Sequence, residues 1–402
     1  MLSSLRPQRR WSGHLQRRLL SAVLKPAAGT RHGAEGQLLV DMNGGFRALQ
    51  LKEANGVPTV DLQSLIAVRK HVEWWDDNFM VNVSVLNGDG KHFCSGLDLS
   101  GLRGDRENEV TASLDALCNV VSALDASKTP VVTVLNGSCI GSGYALAMGR
   151  YKVATENSTF HVPEATLGLG LAGGLSYTLP RLLGGNQSLG LCLALTGMAL
   201  EGPDLVLTQI ATGYMTQRRL DMMMERLAEI NQDPEPFGDK TPDCSGDPTA
   251  VQTVLERFVD LSWNLDGLPD DCLLPAESQI PITSFVDDVL PQVEQVFTVE
   301  SVEEAMDNLK GRSEPWAQMA LQSIERSSPL SLKVIFEQVK RGGTWACRSA
   351  WTMNSPSTVI FSGCLTSRRR CRLVNLGEAH QLGNAAPWSN FPENKSLPSS
   401  SQ

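Results

Sequence analysis

Three short stretches combine small residues with groups able to do chemistry. The first is His92-Phe93-Cys94-Ser95-Gly96-Leu97-Asp98-Leu99. The second is Asn136-Gly137-Ser138-Cys139-Ile140-Gly141-Ser142-Gly143. The third is Phe160-His161-Val162-Pro163-Glu164, trailed by Gly168, Gly170, Gly173 and Gly174. Each lies at a strand end, where small residues let a ligand approach the backbone closely. Backbone N–H groups from two such ends can hold an oxyanion, because the donors need geometry and no side chain. Glu164 would then serve as general base or nucleophile towards an acyl substrate. From spacing alone, the reading of these glycines as turns and of Glu164 as a surface acid stays open.

Other chemistries find less support. There is no GxxxxGK[ST], and Gly141-Ser142-Gly143 is not completed to GxGxxG, so phosphate and dinucleotide loops are not indicated. No serine sits in GxSxG. The six histidines form no close pair, so no metal site is assigned. His92 and His161 read as packed or surface residues, with substrate contact as the alternative. Cys94 and Cys139 flank the glycines and read as packed thiols rather than nucleophiles. The nine cysteines contain no CxxC and suit a reduced protein rather than a disulfide framework.

The elements that must position these stretches follow from periodicity. Residues 37–51 read as two strands about a Gly44-Gly45 turn. Residues 62–75 read as a helix. Residues 80–86 alternate at Val81, Val83 and Val85 and end in the turn Asn87-Gly88-Asp89-Gly90. A helix over 112–124, a strand over 131–135, a small-residue helix over 142–149 and a strand near 151–155 follow. Strands alternating with helices imply an α/β domain. Residues 182–230 read as helical, 231–250 as a polar insertion or linker, and 251–340 as mainly helical. Ser301-Val302-Glu303-Glu304 has the form of a capping-box start.

The whole chain has 402 residues and a net charge of −9. Hydrophobic content of 42% supports a sizeable core, and no apolar run is long enough for a membrane span. The negative charge argues against nucleic-acid binding through overall positive charge. Charge is uneven, however. The segment before Glu35 carries Arg6, Arg9, Arg10, Arg17, Arg18, Lys25 and Arg31 with no acid, the composition of a mitochondrial transit peptide. Residues 344–402 hold Arg368, Arg369, Arg370 and Arg372 and a serine-rich end, with weak periodicity.

The motifs Phe93-Cys94-Ser95-Gly96-Leu97-Asp98-Leu99, Asn136-Gly137 with Gly141-Ser142-Gly143, and Pro163-Glu164 resemble the crotonase (enoyl-CoA hydratase/isomerase) superfamily. Within it the chain is most similar to the 3-hydroxyisobutyryl-CoA hydrolase branch, on Tyr151-Lys152-Val153-Ala154-Thr155-Glu156, Leu179-Pro180-Arg181-Leu182, Leu195-Thr196-Gly197 and Ile210-Ala211-Thr212. The resemblance runs over about residues 36–343. It implies an α/β fold, a spiral of ββα turns with a C-terminal helical region, commonly assembled as a homo-oligomer. The organisation is then a transit peptide over 1–34, a core over 36–230, a linker over 231–250, a helical region of the same unit over 251–343, and an atypical tail over 344–402.

By the same resemblance, the backbone N–H groups of Leu97 and Ser142 form the oxyanion hole, and Glu164 is the catalytic carboxylate. Gly96, Asp98, Gly141, Gly143 and Ala172 line the substrate. No separate cofactor is implied, since coenzyme A arrives as part of the substrate. The implied reaction releases 3-hydroxyisobutyrate and coenzyme A in valine breakdown, in the mitochondrial matrix. Three departures stand out. Ala145 occupies the place of the hydratases' second glutamate. Ala172 occupies the place of the hydrolase branch's aspartate, which holds the substrate hydroxyl or assists proton transfer. Ser142 replaces the family's middle glycine. Two alternatives therefore accompany the hydrolase: a non-catalytic member serving the small subunit of the mitochondrial ribosome, with the Arg368–372 patch as RNA contact, and an enoyl-CoA isomerase using Glu164 alone.

Overall fold

The computed structural model describes residues 31–35, 38–52, 58–88, 90–99, 107–230, 248–258 and 285–343. Residues 1–30 of the leader expected over 1–34 and the whole tail (344–402) lie outside the described residues, as does most of the 231–250 linker.

The chain winds so that successive turns contribute a strand to each of two sheets. The strands are β1 (Arg31–Glu35), β2 (Leu38–Asn43), β3 (Phe46–Leu51), β4 (Val83–Asn87), β5 (His92–Cys94), β6 (Val131–Val134), β7 (Ser138–Ile140), β8 (Tyr151–Ala154), β9 (Thr159–His161), β10 (Leu200–Glu201) and β11 (Gly213–Tyr214). The large sheet has the order β1-β2-β3-β4-β6-β8-β11, and the small one β10-β9-β7-β5. From β3 to β11 the large sheet is parallel. Strands β5, β7 and β9 are parallel as well. β1 crosses the boundary expected at residue 34, because Arg31–Glu35 pairs antiparallel with β2.

The helices are α1 (Leu62–Asp76), α2 (Glu107–Ala126), α3 (Glu164–Leu167), α4 (Leu175–Thr178), α5 (Gln187–Thr196), α6 (Asp204–Leu207), α7 (Gln217–Glu229), α8 (Pro248–Phe258), α9 (Leu290–Phe297), α10 (Val302–Lys310), α11 (Pro315–Arg326) and α12 (Pro329–Gly342). Local chemistry sets several ends. Asp61 caps α1 by accepting the Ser64 N–H at 2.8 Å. Ser301 caps α10 through the Glu304 N–H at 3.1 Å, while Glu304 reaches back to the Glu300 N–H at 2.9 Å. The return bond lands one residue before the cap, a variant of the expected capping box.

From β3 to β8 the large sheet is buried on both faces, as parallel sheets generally are. Phe46, Val83, Val85, Val132 and Val153 pack against Leu220, Met223 and Leu227 of α7 and Val251 and Leu255 of α8. The main core lies on the other side, where Leu38, Leu49 and Leu86 join α1, α2 and the C-terminal helices. Val81, Val83 and Val85, which alternate in the sequence, are all buried. Ser84 and Leu86 between and after them are buried too.

One expectation is corrected and another sharpened. Residues 182–230 are not uniformly helical: β10 and β11 interrupt them, closing the edges of the small and large sheets. The small-residue helix expected over 142–149 is present as a 3-10 helix over Gly141–Ala147. Ala145, Leu146 and Ala147 are buried there, and the Tyr144 hydroxyl is tied to the Ile210 carbonyl at 2.9 Å.

Candidate functional site

The three sequence stretches meet because of strand register. Cys94 on β5 pairs with Cys139 on β7, which pairs with Phe160 on β9. Leu97 and Ser142 each lie three residues beyond their member of that row, and Glu164 lies four beyond. The parallel small sheet thus delivers two candidate donors and one carboxylate at the same end.

Glycine makes the approach possible. A Cβ on Gly143 would stand 2.6 Å from the Cys94 carbonyl oxygen, and one on Gly96 would stand 2.7 Å from Ser142 Oγ. Gly96 and Gly141 also adopt left-handed φ of 88° and 50°. A Cβ on Gly141 would collide with the Glu164 carboxylate, so the 3-10 turn rests directly on that acid. These positions require glycine for space and for backbone conformation together.

Leu97 is aimed by its neighbours. The Gly96 carbonyl accepts the Val60 N–H at 3.0 Å, and the Asp98 N–H donates to the Val60 carbonyl at 2.9 Å. Strand-like alternation then turns the Leu97 N–H away from Val60, towards the 141–143 turn. There it donates to Ser142 Oγ at 3.1 Å. Val60 is a positioning residue that sequence reading missed.

Glu164 opens α3 and is buried. Burial raises its pKa to about 7, with the backbone N–H groups of Glu164 and Ser142 opposing the rise. Its Oε2 is buried and has no hydrogen-bond partner among the described residues. A carboxyl poised near neutrality in an apolar surround is suited to exchange a proton with a substrate or water.

Behind Glu164, the 168–174 loop returns to the Ser142 turn. The Leu169 N–H donates to the Glu164 carbonyl at 2.8 Å. A Cβ on Gly173 would come within 2.8 Å of the Ser142 carbonyl oxygen and 3.0 Å of the Ala145 Cβ. Ala172 and Ala145 are both buried at this junction. The loop is held from α12 by Gln338, which bonds both backbone groups of Leu171. Gln338 is buried and carried no signal in the sequence beyond its place on a helix.

The remaining candidates have other settings. Asp98 is exposed. Glu156, an acid that could have replaced the missing aspartate, accepts the Gln217 N–H at 2.8 Å at the start of α7. His92 Nδ1 lies 2.6 Å from Ser138 Oγ. His161 is half-buried, and burial lowers its pKa. Burial pushes the Cys94 thiol up to about 12 and raises Cys139 well above its ordinary value, so both remain thiols. A separate cavity of about 500 Å³ lies between Asn186, Ser188, Glu294 and Thr298, and Glu164 does not line it.

The mitochondrial 3-hydroxyisobutyryl-CoA hydrolase of Xenopus laevis is 28% identical over 79% of this chain and 76% of its own length. The small ribosomal subunit protein mS47 of Arabidopsis thaliana is 27% identical over 77% of this chain and 69% of its own. Among solved structures, a carnitinyl-CoA dehydratase from Mycobacterium thermoresistibile superposes with a TM-score of 0.68 at 18% identity, covering 89% of this chain and 94% of that one. An enoyl-CoA hydratase from Rhodobacter sphaeroides gives 0.62 at 19% identity, covering 81% and 85%. These two likenesses establish the crotonase fold. A family model described as enoyl-CoA hydratase/isomerase matches residues 46–359, so the chain belongs to that family.

Proposed function

We propose that the protein hydrolyses an acyl-CoA thioester, with 3-hydroxyisobutyryl-CoA as substrate, in the mitochondrial matrix. The observation that carries the reading is Glu164: a buried carboxyl near neutral pKa, at the end of the sheet that also presents the Leu97 and Ser142 N–H groups. Relatives named as mitochondrial 3-hydroxyisobutyryl-CoA hydrolases support the substrate and compartment. The acid-free leader supports the compartment as well.

In this mechanism ionised Glu164 takes a proton from water as the water oxygen bonds to the thioester carbon. The carbonyl becomes a tetrahedral oxyanion at the N–H groups of Leu97 and Ser142, the Ser142 N–H passing to it from the Glu164 carboxylate as that carboxylate takes up the proton. Collapse breaks the C–S bond, and the thiolate leaves with the proton held by Glu164. The products are the free acid and coenzyme A, and no further cofactor enters. Each N–H to the oxyanion contributes about 10²–10³ in rate when well placed. Ala145 leaves the site with one carboxylate here, which favours hydrolysis or isomerisation over hydration.

Incubation with 3-hydroxyisobutyryl-CoA should release thiol at a rate at least 100-fold above a Glu164→Gln control, on the order of the loss of a general base. Thiol release no faster than that control would refute the proposal.

A second reading is favoured by Ala172 and by the match to mS47. In it, the protein keeps the fold as a component of the mitochondrial small ribosomal subunit. It requires co-sedimentation with that subunit, and protein running wholly free of ribosomes would exclude it.

A further inference from the structure

The N–H that a thioester carbonyl would need is already occupied. Leu97 N–H donates to Ser142 Oγ at 3.1 Å, within the range of a genuine hydrogen bond. The hydroxyl sits in a notch made by glycine, since a Cβ at Gly96 would approach it to 2.7 Å. Backbone bonds from Gly96 and Asp98 to Val60 fix the direction of the donor, so Leu97 cannot turn away to make room. Ser142 can: its side chain has one rotatable bond and is half-buried rather than enclosed.

We propose that Ser142 is a gate on the carbonyl site: in the resting protein its hydroxyl takes the position of the ligand's carbonyl oxygen, and an acyl group is admitted only when that side chain turns to another rotamer. The proposal rests on the acyl-CoA reading above. On admission, the Leu97 N–H passes from the serine hydroxyl to the ligand carbonyl, and the hydroxyl passes to solvent. No covalent bond changes. At Leu97 one acceptor replaces another, and the Ser142 N–H is engaged by the Glu164 carboxylate, so the carbonyl adds little to affinity in the native protein. A residue at 142 without a hydroxyl would leave the donor open and make the carbonyl count. Ser142 is in this sense a specificity-determining residue. It makes binding depend on the parts of the ligand that force the side chain aside.

Two measurements on the full chain test this. The first is amide exchange at Leu97, followed with ¹⁵N-leucine labelling in native protein, Ser142→Ala and Ser142→Gly. The second is calorimetric binding of two coenzyme A compounds. One is a ketone in which CH₂ replaces the thioester sulfur, and the other is an S-alkyl thioether of equal length without a carbonyl. The expected result is faster Leu97 exchange in both variants. Native protein should bind ketone and thioether within about twofold of each other. Both variants should bind the ketone roughly three- to tenfold more tightly than native, the range of one net hydrogen bond, with thioether affinity unchanged. Ser142→Thr keeps a hydroxyl and should retain slow Leu97 exchange.

Unchanged Leu97 exchange in both variants overturns the gate, as does a native protein that already prefers the ketone tenfold. If no protein in the set binds either compound, the acyl-CoA reading itself falls, and the gate's ligand with it. Normal coenzyme A binding with no change at Leu97 removes the gate alone.

Discussion

Gln338 closes a two-bond ring on the backbone of Leu171: its Oε1 accepts the Leu171 N–H at 2.8 Å and its Nε2 donates to the Leu171 carbonyl at 3.1 Å. This ring ties α12 to the loop between Glu164 and Gly174. Replacing Gln338 by Leu removes both of these bonds to a buried backbone, at about 1 kcal/mol or more for each. Urea unfolding should show a loss of about 2 kcal/mol or more. KM should rise more than kcat falls, because the loop shapes the pocket without touching the reacting atoms.

The pH dependence of hydrolysis should report Glu164. Its pKa of about 7 means that the carboxyl is largely protonated below neutrality and cannot accept a proton from water. The initial rate should therefore rise with pH through an apparent pKa near 7 and level off above it. A profile flat from pH 5 to 8 would assign the base to another group.

The same burial affects stability in the opposite sense. Folding raises the Glu164 pKa from 4.5 to about 7. Below pH 4.5 the group is neutral both folded and unfolded, and its burial carries no charge penalty. That relative stability is lost as pH rises through about 7, to a total of about 3 kcal/mol. Glu164→Gln does not titrate, so its stability relative to native should improve by up to that amount between pH 4.5 and 8. Denaturant melts at the two pH values measure the difference.

Glycine at 141 is required twice over, and the two requirements separate experimentally. Gly184 has a left-handed φ of 71° with no atom within 4 Å of a built Cβ. Gly184→Ala should cost only the conformational penalty, about 1–2 kcal/mol. Gly141→Ala adds a collision with the Glu164 carboxylate. It should destabilise more and should reduce hydrolysis at least tenfold, whereas Gly184→Ala leaves the rate near native.

Cys94 and Cys139 sit beside the site without taking part. Cys94 Sγ accepts the Gly96 N–H at 3.4 Å and stays a thiol far above neutral pH. Cys94→Ala should keep hydrolysis within about threefold of native, as a non-nucleophilic packed thiol would. Iodoacetamide should leave Cys94 unmodified in folded protein.

The parts of this site that were legible in the sequence are those that leave a local mark. Glycines packed closely after an apolar run announced the two turns, and Pro163-Glu164 announced the acid. What escaped notice was distant or generic. Gln338 is one polar residue on an amphipathic helix, and its partner lies 167 positions away. Val60 looks like any core valine, yet its backbone sets the direction of Leu97. The serine at 142 was visible as a departure from glycine, but the partner of its hydroxyl was not. Likewise, two-residue strands such as β10 and β11 are too short to carry periodicity, so residues 182–230 read as unbroken helix.

The pairing of Cys94, Cys139 and Phe160 across one row makes the small sheet a gauge for the chemistry beyond it. A slip of one residue along β7 would move Ser142 by about 3.3 Å. That distance is as long as a whole hydrogen bond, and the slip would also reverse which face each side chain meets. Insertions within β5, β7 or β9 are thus far more disruptive to this protein than insertions in the connections between turns. The spacing between donors and acid is inherited from strand alignment, and the loops can change composition without resetting it.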